Sequence, residues 1–594
     1  MCGIAGLIYK NKKVDCDAFN HMRDTLAHRG PDDAASEFLE QGRAALGHRR
    51  LSFLDLSEAG RQPMCNEDGK VWIVFNGEIY NYVELAAELK RSGHTFKTTS
   101  DTEVIIHGYE QWGHQVVDHL KGMFAFCILD QNKRELFLSR DRFGIKPLYY
   151  RLTSNTLVFA SELKAIVAEP GYKPEVDYCS VADYLVYRYV PSPRTIWQGI
   201  AKLEPAHTMT VNLNTFQAEI RQYWSLPDVK RTAPSDIVER YGKALSESVR
   251  IHARADVPIG SFLSGGYDSS AVVACLTDAG YKPETFTIGF TEWNDSEHAR
   301  AQETAQHFGV PCFDEIADAS SMDLLDVMPD VYDEPIADIS ILPTWMVSRL
   351  AATHVKAVMS GEGADEMLGG YWWEKKAFAE TPVPGRKQRL LEMLGKRTPT
   401  QDLIPFYADA MAMGRFDREE LQKALSPRLH EFINDDPDWF YRKHFHQHLS
   451  PLKATQYMDA RCFMGELVLV KIDRASMAHS LEVRVPFLDH ELVEMVFRAP
   501  EHAMFRPDTT KYLLHENIKD RVPASILNRP KQGFTGPDDY YKDLSRYRAI
   551  LTNCTLVEHE VVSAEYIHSL FEQEDFWRMW KLVVLEKWFQ RWTR

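Results

Sequence analysis

One stretch of the chain combines residue types that do chemistry: Phe262-Leu263-Ser264-Gly265-Gly266-Tyr267-Asp268-Ser269-Ser270. It follows Ala255-Asp256-Val257-Pro258-Ile259-Gly260, which reads as the entry to a buried strand, and precedes Ala271-Val272-Val273-Ala274-Cys275-Leu276, an apolar run suited to a helix start. A strand feeding a glycine turn and then a helix makes an anion site, because uncapped N–H groups and the helix dipole face the ligand. Gly265 and Gly266 let the backbone approach a phosphate, and Ser264, Ser269 and Ser270 add hydroxyl donors. Asp268 is foreign to a pure anion site and makes sense when a divalent cation accompanies the phosphates. No Gly-Lys-Ser/Thr follows, so this is not a Walker loop. Ser-Gly-Gly alone would be a turn; the ordered context with Asp268 favours nucleotide binding.

The second reactive position is Cys2. With Met1 removed, its amine (pKa about 8) can act as general base for its own thiol (pKa about 8.5). A cysteine at position two is usually chance, but ordered blocks follow it. They are Cys2-Gly3-Ile4-Ala5-Gly6, Ala27-His28-Arg29-Gly30-Pro31-Asp32, Gly47-His48-Arg49-Arg50-Leu51-Ser52-Phe53-Leu54-Asp55, Phe75-Asn76-Gly77-Glu78-Ile79-Tyr80-Asn81, Thr99-Ser100-Asp101-Thr102-Glu103, Gly122-Met123-Phe124-Ala125-Phe126 and Arg140-Asp141-Arg142-Phe143-Gly144-Ile145-Lys146-Pro147-Leu148. This series resembles the N-terminal-nucleophile (class II) glutamine amidotransferases.

The resemblance implies a stacked-sheet αββα sandwich, with strands such as Val71-Trp72-Ile73-Val74-Phe75 and Leu136-Phe137-Leu138. It also assigns roles. The Asn76 side chain and Gly77 N–H would form an oxyanion hole for the tetrahedral intermediate of glutamine hydrolysis at Cys2. Arg50 would clasp the glutamine α-carboxylate, Glu78 and Asp101 the α-ammonium, and the backbone through Leu51, Ser52, Phe53 and Leu54 would line the pocket. Taken singly, Arg50 reads as a surface ion pair, Asn76-Gly77 as a hairpin turn and Asp101 as a helix cap.

The stretch around Gly265 resembles the Ser-Gly-Gly-x-Asp-Ser pyrophosphate loop of ATP pyrophosphatases, with Tyr267 where a smaller aliphatic residue is usual. Later segments extend that likeness. Thr285-Phe286-Thr287-Ile288-Gly289-Phe290 and Val355-Lys356-Ala357-Val358-Met359 read as buried strands, the latter running into Ser360-Gly361-Glu362-Gly363-Ala364-Asp365-Glu366. Alternation of strands and helices predicts a doubly wound parallel sheet with ligands at the carboxyl ends of its strands. The resemblance places Leu263 and Ile288 beside adenine, Ser360 and Gly361 on AMP, and Asp268 with Asp365 on Mg²⁺. It gives Glu362 a part in handling protons at the acyl-adenylate stage, and puts the loop begun by Asp333-Glu334-Pro335-Ile336-Ala337-Asp338 near the acceptor. Lys531, in Arg529-Pro530-Lys531-Gln532-Gly533-Phe534, would stabilise charge built on the phosphates. Arg474 and His479, in Lys471–Glu482, read as scaffold.

Bulk properties bound this reading. At 594 residues the chain predicts at least two domains, set here at 1–225 (glutaminase) and 226–594 (ATP pyrophosphatase). A formal charge of −16 argues against nucleic acid as partner, and the lack of a long apolar run or secretory leader predicts a cytoplasmic protein that meets no membrane. Nine cysteines without metal or disulfide spacing fit a reducing compartment. The spacing of Ile237, Tyr241, Leu245 and Val249 predicts an amphipathic helix over 237–252, and the aromatic run Phe576–Phe589 a packing helix. Residues 375–450 carry no legible motif.

Together the halves resemble the glutamine-hydrolysing asparagine synthetase family. That implies ATP and Mg²⁺, small-molecule partners (glutamine and an acceptor carboxylate, aspartate first), ammonia passed between domains, and a homodimer as the oligomer considered. Uronic-acid sugars and diaminopimelate are alternative acceptors. Closure of a β-lactam ring is disfavoured by the intact glutaminase set, and a non-catalytic glutamine sensor by the presence of both sets.

Overall fold

The computed structural model describes residues 2–230, 232–291, 293, 296–379, 402–506, 508–527 and 533–593. Its first half holds two six-stranded antiparallel sheets. One runs in the order Ala201–Lys202, Tyr149–Leu152, Thr156–Ala160, Gly3–Tyr9, Ala44–Arg50, Asp33–Leu39. The other runs Ala218–Gln222, His207–Asn212, Glu135–Arg140, Gly122–Asp130, Val71–Ile79, Met64–Cys65. Alternation along each strand decides which layer a residue fills. Ile4 and Ile8 face the layer between the sheets, with Val74, Cys127, Leu138 and Met209. Leu7 and Tyr9 face outward to Phe19 and Met22 of helix Cys16–Asp24. On the far side, Ile73 and Phe75 pack under helices Tyr82–Arg91 and Asp101–Trp112. The product is the helix–sheet–sheet–helix sandwich expected from sequence.

The second half is built on a five-stranded parallel sheet, ordered Cys312–Ala317, Thr285–Phe290, Ile259–Phe262, Ala357–Met359, Glu482–Arg484. In chain order this is 3-2-1-4-5, so the winding reverses between Ile259–Phe262 and Ala357–Met359. Such a switch point opens a crevice at the carboxyl ends of the two strands. Helix Ile237–His252 flanks the sheet and buries Ile237, Tyr241, Leu245 and Val249, the predicted face. The C-terminal helix Phe576–Trp592 buries Trp580, Leu582, Val583, Leu585 and Trp588, and Lys581 donates to the carbonyls of Leu185 at 2.7 Å and Gly414 at 2.8 Å. It is a packing element. Helices Ile404–Met411, Arg418–Ala424 and Trp439–Lys443, from the stretch without motifs, pack in the same core.

Buried ion pairs hold the halves together. Arg29 contacts Glu162 at 2.8 Å and Asp473 at 2.9 Å, while Arg474 reaches Glu162 at 2.8 Å and Asp333 at 3.5 Å. A buried pair of this kind fixes geometry more than it adds stability, because desolvation offsets the attraction. Arg474 is therefore a scaffold residue at the seam. His479 lies against Trp345, ring centroids 4.4 Å apart, and burial lowers it to about 4.

Candidate functional site

Cys2 immediately precedes the central strand Gly3–Tyr9 of the first sheet, and Asn76 and Gly77 lie within the strand Val71–Ile79 of the second. The pair is thus a strand segment and not a hairpin turn. The Cys2 main-chain nitrogen donates to Asn76 Oδ1 at 3.0 Å, and Arg29 Nε donates to the Cys2 carbonyl at 3.0 Å. Burial pushes the Cys2 thiol up, so the thiolate needs an internal base. Asn76 is fully buried, and its Nδ2 has no hydrogen-bond partner among the described residues. A desolvated donor left unpaired beside a thiol is what an oxyanion hole requires before its ligand arrives. A Cβ on Gly77 would stand 2.0 Å from the Met123 carbonyl, so only glycine permits this strand approach.

The loop after Arg50 closes the pocket. Arg50 donates to the carbonyls of Ser57 at 3.0 Å, Leu54 at 3.2 Å and Asp55 at 2.5 Å. Leu51 and Phe53 pack with Ala357 and Met477 of the second half. The Cys2 thiol lies 4.0 Å from the Leu51 carbonyl, while Ser52 donates its N–H to Asp32. Asp101 opens its helix, but Ser100 is the cap. The Asp101 carboxylate accepts the Ile79 N–H at 2.8 Å, and burial raises it to about 6. Arg484 lies 3.2 Å from Glu78 and 2.5 Å from Glu482, so one guanidinium serves two carboxylates. Burial, and then Glu482, raise Glu78 well above the usual carboxylate range. Buried carboxylates held above their ordinary values favour an incoming cation. Arg484 belongs to the stretch Arg484-Val485-Pro486-Phe487-Leu488-Asp489, which resembles the same family but reads from sequence only as scaffold, since nothing near it in the chain signals its distant partner Glu78.

The switch-point crevice contains a cavity of about 390 Å³, within the size range of small-molecule sites. Its wall includes Leu263, Ser264, Asp268, Ser269, Ser360, Gly361, Glu362 and Asp365. Gly265 takes φ +67°, and a Cβ there would stand 2.8 Å from Arg300 backbone. Gly266 caps helix Tyr267–Asp278 without a side-chain bond, and the positive end of the helix dipole faces an incoming anion. Ser264 Oγ receives the Gly266 N–H at 3.3 Å and meets Ser269 Oγ at 3.2 Å, which shapes the loop. Ser270 is buried behind it. Along the next strand Phe286 and Thr287 line the cavity, and Ile288 follows them, buried in the same core as Phe286.

Tyr267 faces away from the cavity. Its hydroxyl donates to the Leu527 carbonyl at 2.7 Å and its ring lies near His515. Its size is accommodated because it ties the phosphate loop to the helix Ala524–Leu527.

Asp268 and Asp365 come together through Lys511, whose Nζ lies 2.6 Å from each. Two carboxylates and neighbouring hydroxyls are hard oxygen donors suited to Mg²⁺, and a lysine already gathers them around positive charge. Gly361 makes room, since a Cβ there would stand 2.8 Å from Asp268 Cβ. Asp365 follows Gly363, the cap of helix Ala364–Leu368, so its carboxylate is not spent on capping. Glu362 accepts the Ser360 hydroxyl. Lys531 lies outside the described residues, but Gly533, Phe534 and Thr535 of its segment line the cavity.

Two further cations at the wall were not foreseen. Arg188, in a left-handed conformation at the end of helix Tyr178–Tyr187, and Lys471 lie 3.5 and 3.7 Å from opposite oxygens of Asp338. Lys471 also donates to Ser340 at 2.6 Å. Tyr371 and Trp373, stacked at 4.2 Å, and Phe463 from the π-helical turn Asp459–Val468 form an aromatic side.

Two family models match the chain: a glutamine amidotransferase domain over residues 1–224 and asparagine synthase over residues 240–590. The protein named asparagine synthetase [glutamine-hydrolyzing] 1 of Bacillus subtilis (strain 168) is 34% identical over 565 residues, covering 90% of this chain and 87% of its own. Asparagine synthetase [glutamine-hydrolyzing] 3 of the same organism is 32% identical, covering 97% and 94%. A Gibberella zeae protein named amidase chry2 is 30% identical, covering 91% and 90%.

Proposed function

Because this chain belongs to the glutamine-hydrolysing asparagine synthetase family, we propose that it converts aspartate to asparagine, taking nitrogen from glutamine and energy from cleavage of ATP to AMP and pyrophosphate. Residues 1–225 supply ammonia and residues 226–594 consume it. The observation that carries this reading is the join between the sites. Ala357 packs against Leu51 and Phe53 of the glutamine pocket, and its strand Ala357–Met359 runs into Ser360 in the cavity. Three residues of strand span about 10 Å at ~3.3 Å each. Helix Leu469–Met477 makes the same crossing, with Met477 at the pocket and Lys471 at the cavity. Ammonia released at Cys2 has a short protected distance to travel, which matters because in water it is mostly protonated and unreactive near neutral pH.

In the first site the freed α-amine of Cys2 takes the thiol proton. The thiolate attacks the glutamine amide carbonyl, the oxyanion settles on Asn76 Nδ2 and the Gly77 N–H, and the amide nitrogen takes the proton from the α-ammonium and leaves as ammonia while the thioester forms; water, activated by the freed amine, then cleaves the thioester to glutamate. Arg50 holds the α-carboxylate, while Glu78 and Asp101 hold the ammonium. In the second site the Ser264–Ser270 loop receives the phosphates, and Asp268 and Asp365 would hold Mg²⁺, which when bound neutralises phosphate charge. Lys531 supports the departing pyrophosphate, and Glu362 takes a proton from ammonia as it attacks the acyl-adenylate. Arg188 and Lys471, sharing the single carboxylate of Asp338, suit the second carboxylate of a diacid such as aspartate. The stacked Tyr371 and Trp373 favour a sugar acid as the rival acceptor.

Cys2→Ala tests the division of labour. The variant is expected to lose glutamine hydrolysis and keep AMP formation with ammonium salts. Normal glutamine hydrolysis by the variant, or an intact mass retaining Met1 in active enzyme, would overturn the nucleophile assignment.

A further inference from the structure

Helix Asp101–Trp112 carries His107 and Glu110, and the turn preceding the helix brings His94 beside them. A spacing of three residues puts two side chains on one helical face. Glu110 Oε2 lies 2.9 Å from His107 Nδ1 and 3.8 Å from His94 Nδ1, and the donor atoms of the three residues lie within 4.8 Å of one another. Bonds of about 2.0–2.2 Å in a tetrahedral site set donor atoms roughly 3.4 Å apart, so a cation at the centre calls for small movements of the three side chains.

The surrounding contacts orient all three groups. His94 Nε2 lies 3.3 Å from Gln111 Oε1, and His107 Nε2 lies 3.5 Å from Glu103 Oε1. His107 Nδ1–H donates to Glu110 Oε2 at 2.9 Å, so a cation entering between Glu110 and the two imidazoles takes the place of that proton. Asn66 Nδ2 donates to Glu110 Oε1 at 2.7 Å, leaving Oε2 for the centre. Partners on the non-ligating atoms are the usual companions of imidazole and carboxylate ligands, because they fix tautomer and direction. Glu67 Oε1, 4.0 Å from His107 Nδ1, stands where a fourth ligand or a water would complete the shell.

We propose that His94, His107 and Glu110 form a binding site for a divalent transition metal of the Zn²⁺ class. The imidazole donors separate it from the all-oxygen donor set at Asp268 and Asp365. Its place in the fold gives it a mechanical role. Glu103, behind His107, also accepts the N–H groups of Lys97 and Thr98 at 2.8 Å each. Thr99 N–H in turn donates to Asp55, whose carbonyl receives Arg50. A metal here pins the His94 turn to the helix and steadies the segment leading to Asp101 and the Arg50 loop.

The test uses the full chain carrying Cys2→Ala, so that the reactive thiol contributes no ligand. Chelator-treated protein is loaded with Zn²⁺, desalted and assayed for metal content, alongside H94Q and E110Q in the same background. Co²⁺ titration followed by visible absorption reports the coordination. The parent is expected to retain one equivalent more than either variant, to develop tetrahedral Co²⁺ bands that both variants lack, and to melt higher with Zn²⁺ than with chelator. Equal metal content in all three proteins, or identical Co²⁺ spectra, would overturn the proposal.

Discussion

Asn76 offers the sharpest test of the glutaminase chemistry. Its Nδ2 is buried without a partner among the described residues, and a stranded donor costs the folded protein roughly 1–3 kcal/mol. The account makes that cost useful only when an oxyanion forms, because the ground-state carbonyl binds it weakly. Asn76→Ala therefore removes a transition-state interaction of about 2.7–4 kcal/mol and should lower kcat for glutamine hydrolysis ~10²–10³-fold, with little change in KM. Fold stability should move by only about 1 kcal/mol, since loss of the Cys2–Asn76 hydrogen bond is partly offset by removal of the unpaired donor. Glutamate release at saturating glutamine measures the first effect, and AMP formation with ammonium salts serves as the control. A kcat within threefold of the parent, or an equal fall in the ammonium-supported reaction, would refute the reasoning. Asn76→Asp, which keeps shape and Cys2 contact but replaces the donor, should fall as far.

Two other predictions follow from the same geometry. Burial holds Asp101 up to about 6, against the pull of the Ile79 N–H, so below that pH the carboxyl is neutral and cannot hold an ammonium. The kcat/KM for glutamine should fall about tenfold per pH unit on that acid side, and Asp101→Asn should lack the limb; an unchanged profile in that variant would assign it elsewhere. Tyr267→Phe removes the hydrogen bond to Leu527 and should cost about 1 kcal/mol in urea denaturation while leaving the KM for ATP unchanged; a tenfold rise in that KM would place Tyr267 in the nucleotide site after all.

Local signals were readable where a residue's neighbours in sequence are also its neighbours in space. The glycine turn after a strand, the four-residue spacing of Ile237, Tyr241, Leu245 and Val249, and the strand Thr285–Phe290 all belong to that class. Lys511 does not, lying 243 residues from Asp268, and nothing around it marks it as the counter-charge of that carboxylate. Two acidic turns destined for one crevice still imply that some cation must meet them, which is as far as local reading reaches. Arg188 is similar: it ends a helix of the first half, and its place at the cavity exists only once the halves dock. Ile288 marks a middle case: resemblance pointed to its strand, and the neighbours Phe286 and Thr287 on that strand line the cavity.

The central claim is the transfer of glutamine nitrogen to aspartate at the expense of ATP. Incubating the protein with amide-¹⁵N glutamine, ATP, Mg²⁺ and aspartate, beside a parallel panel of sugar acids and diaminopimelate, and following AMP and product mass tests it directly. Aspartate-dependent AMP matched by an equal amount of ¹⁵N-asparagine is the expected result. AMP formation with another acid and none with aspartate would contradict it.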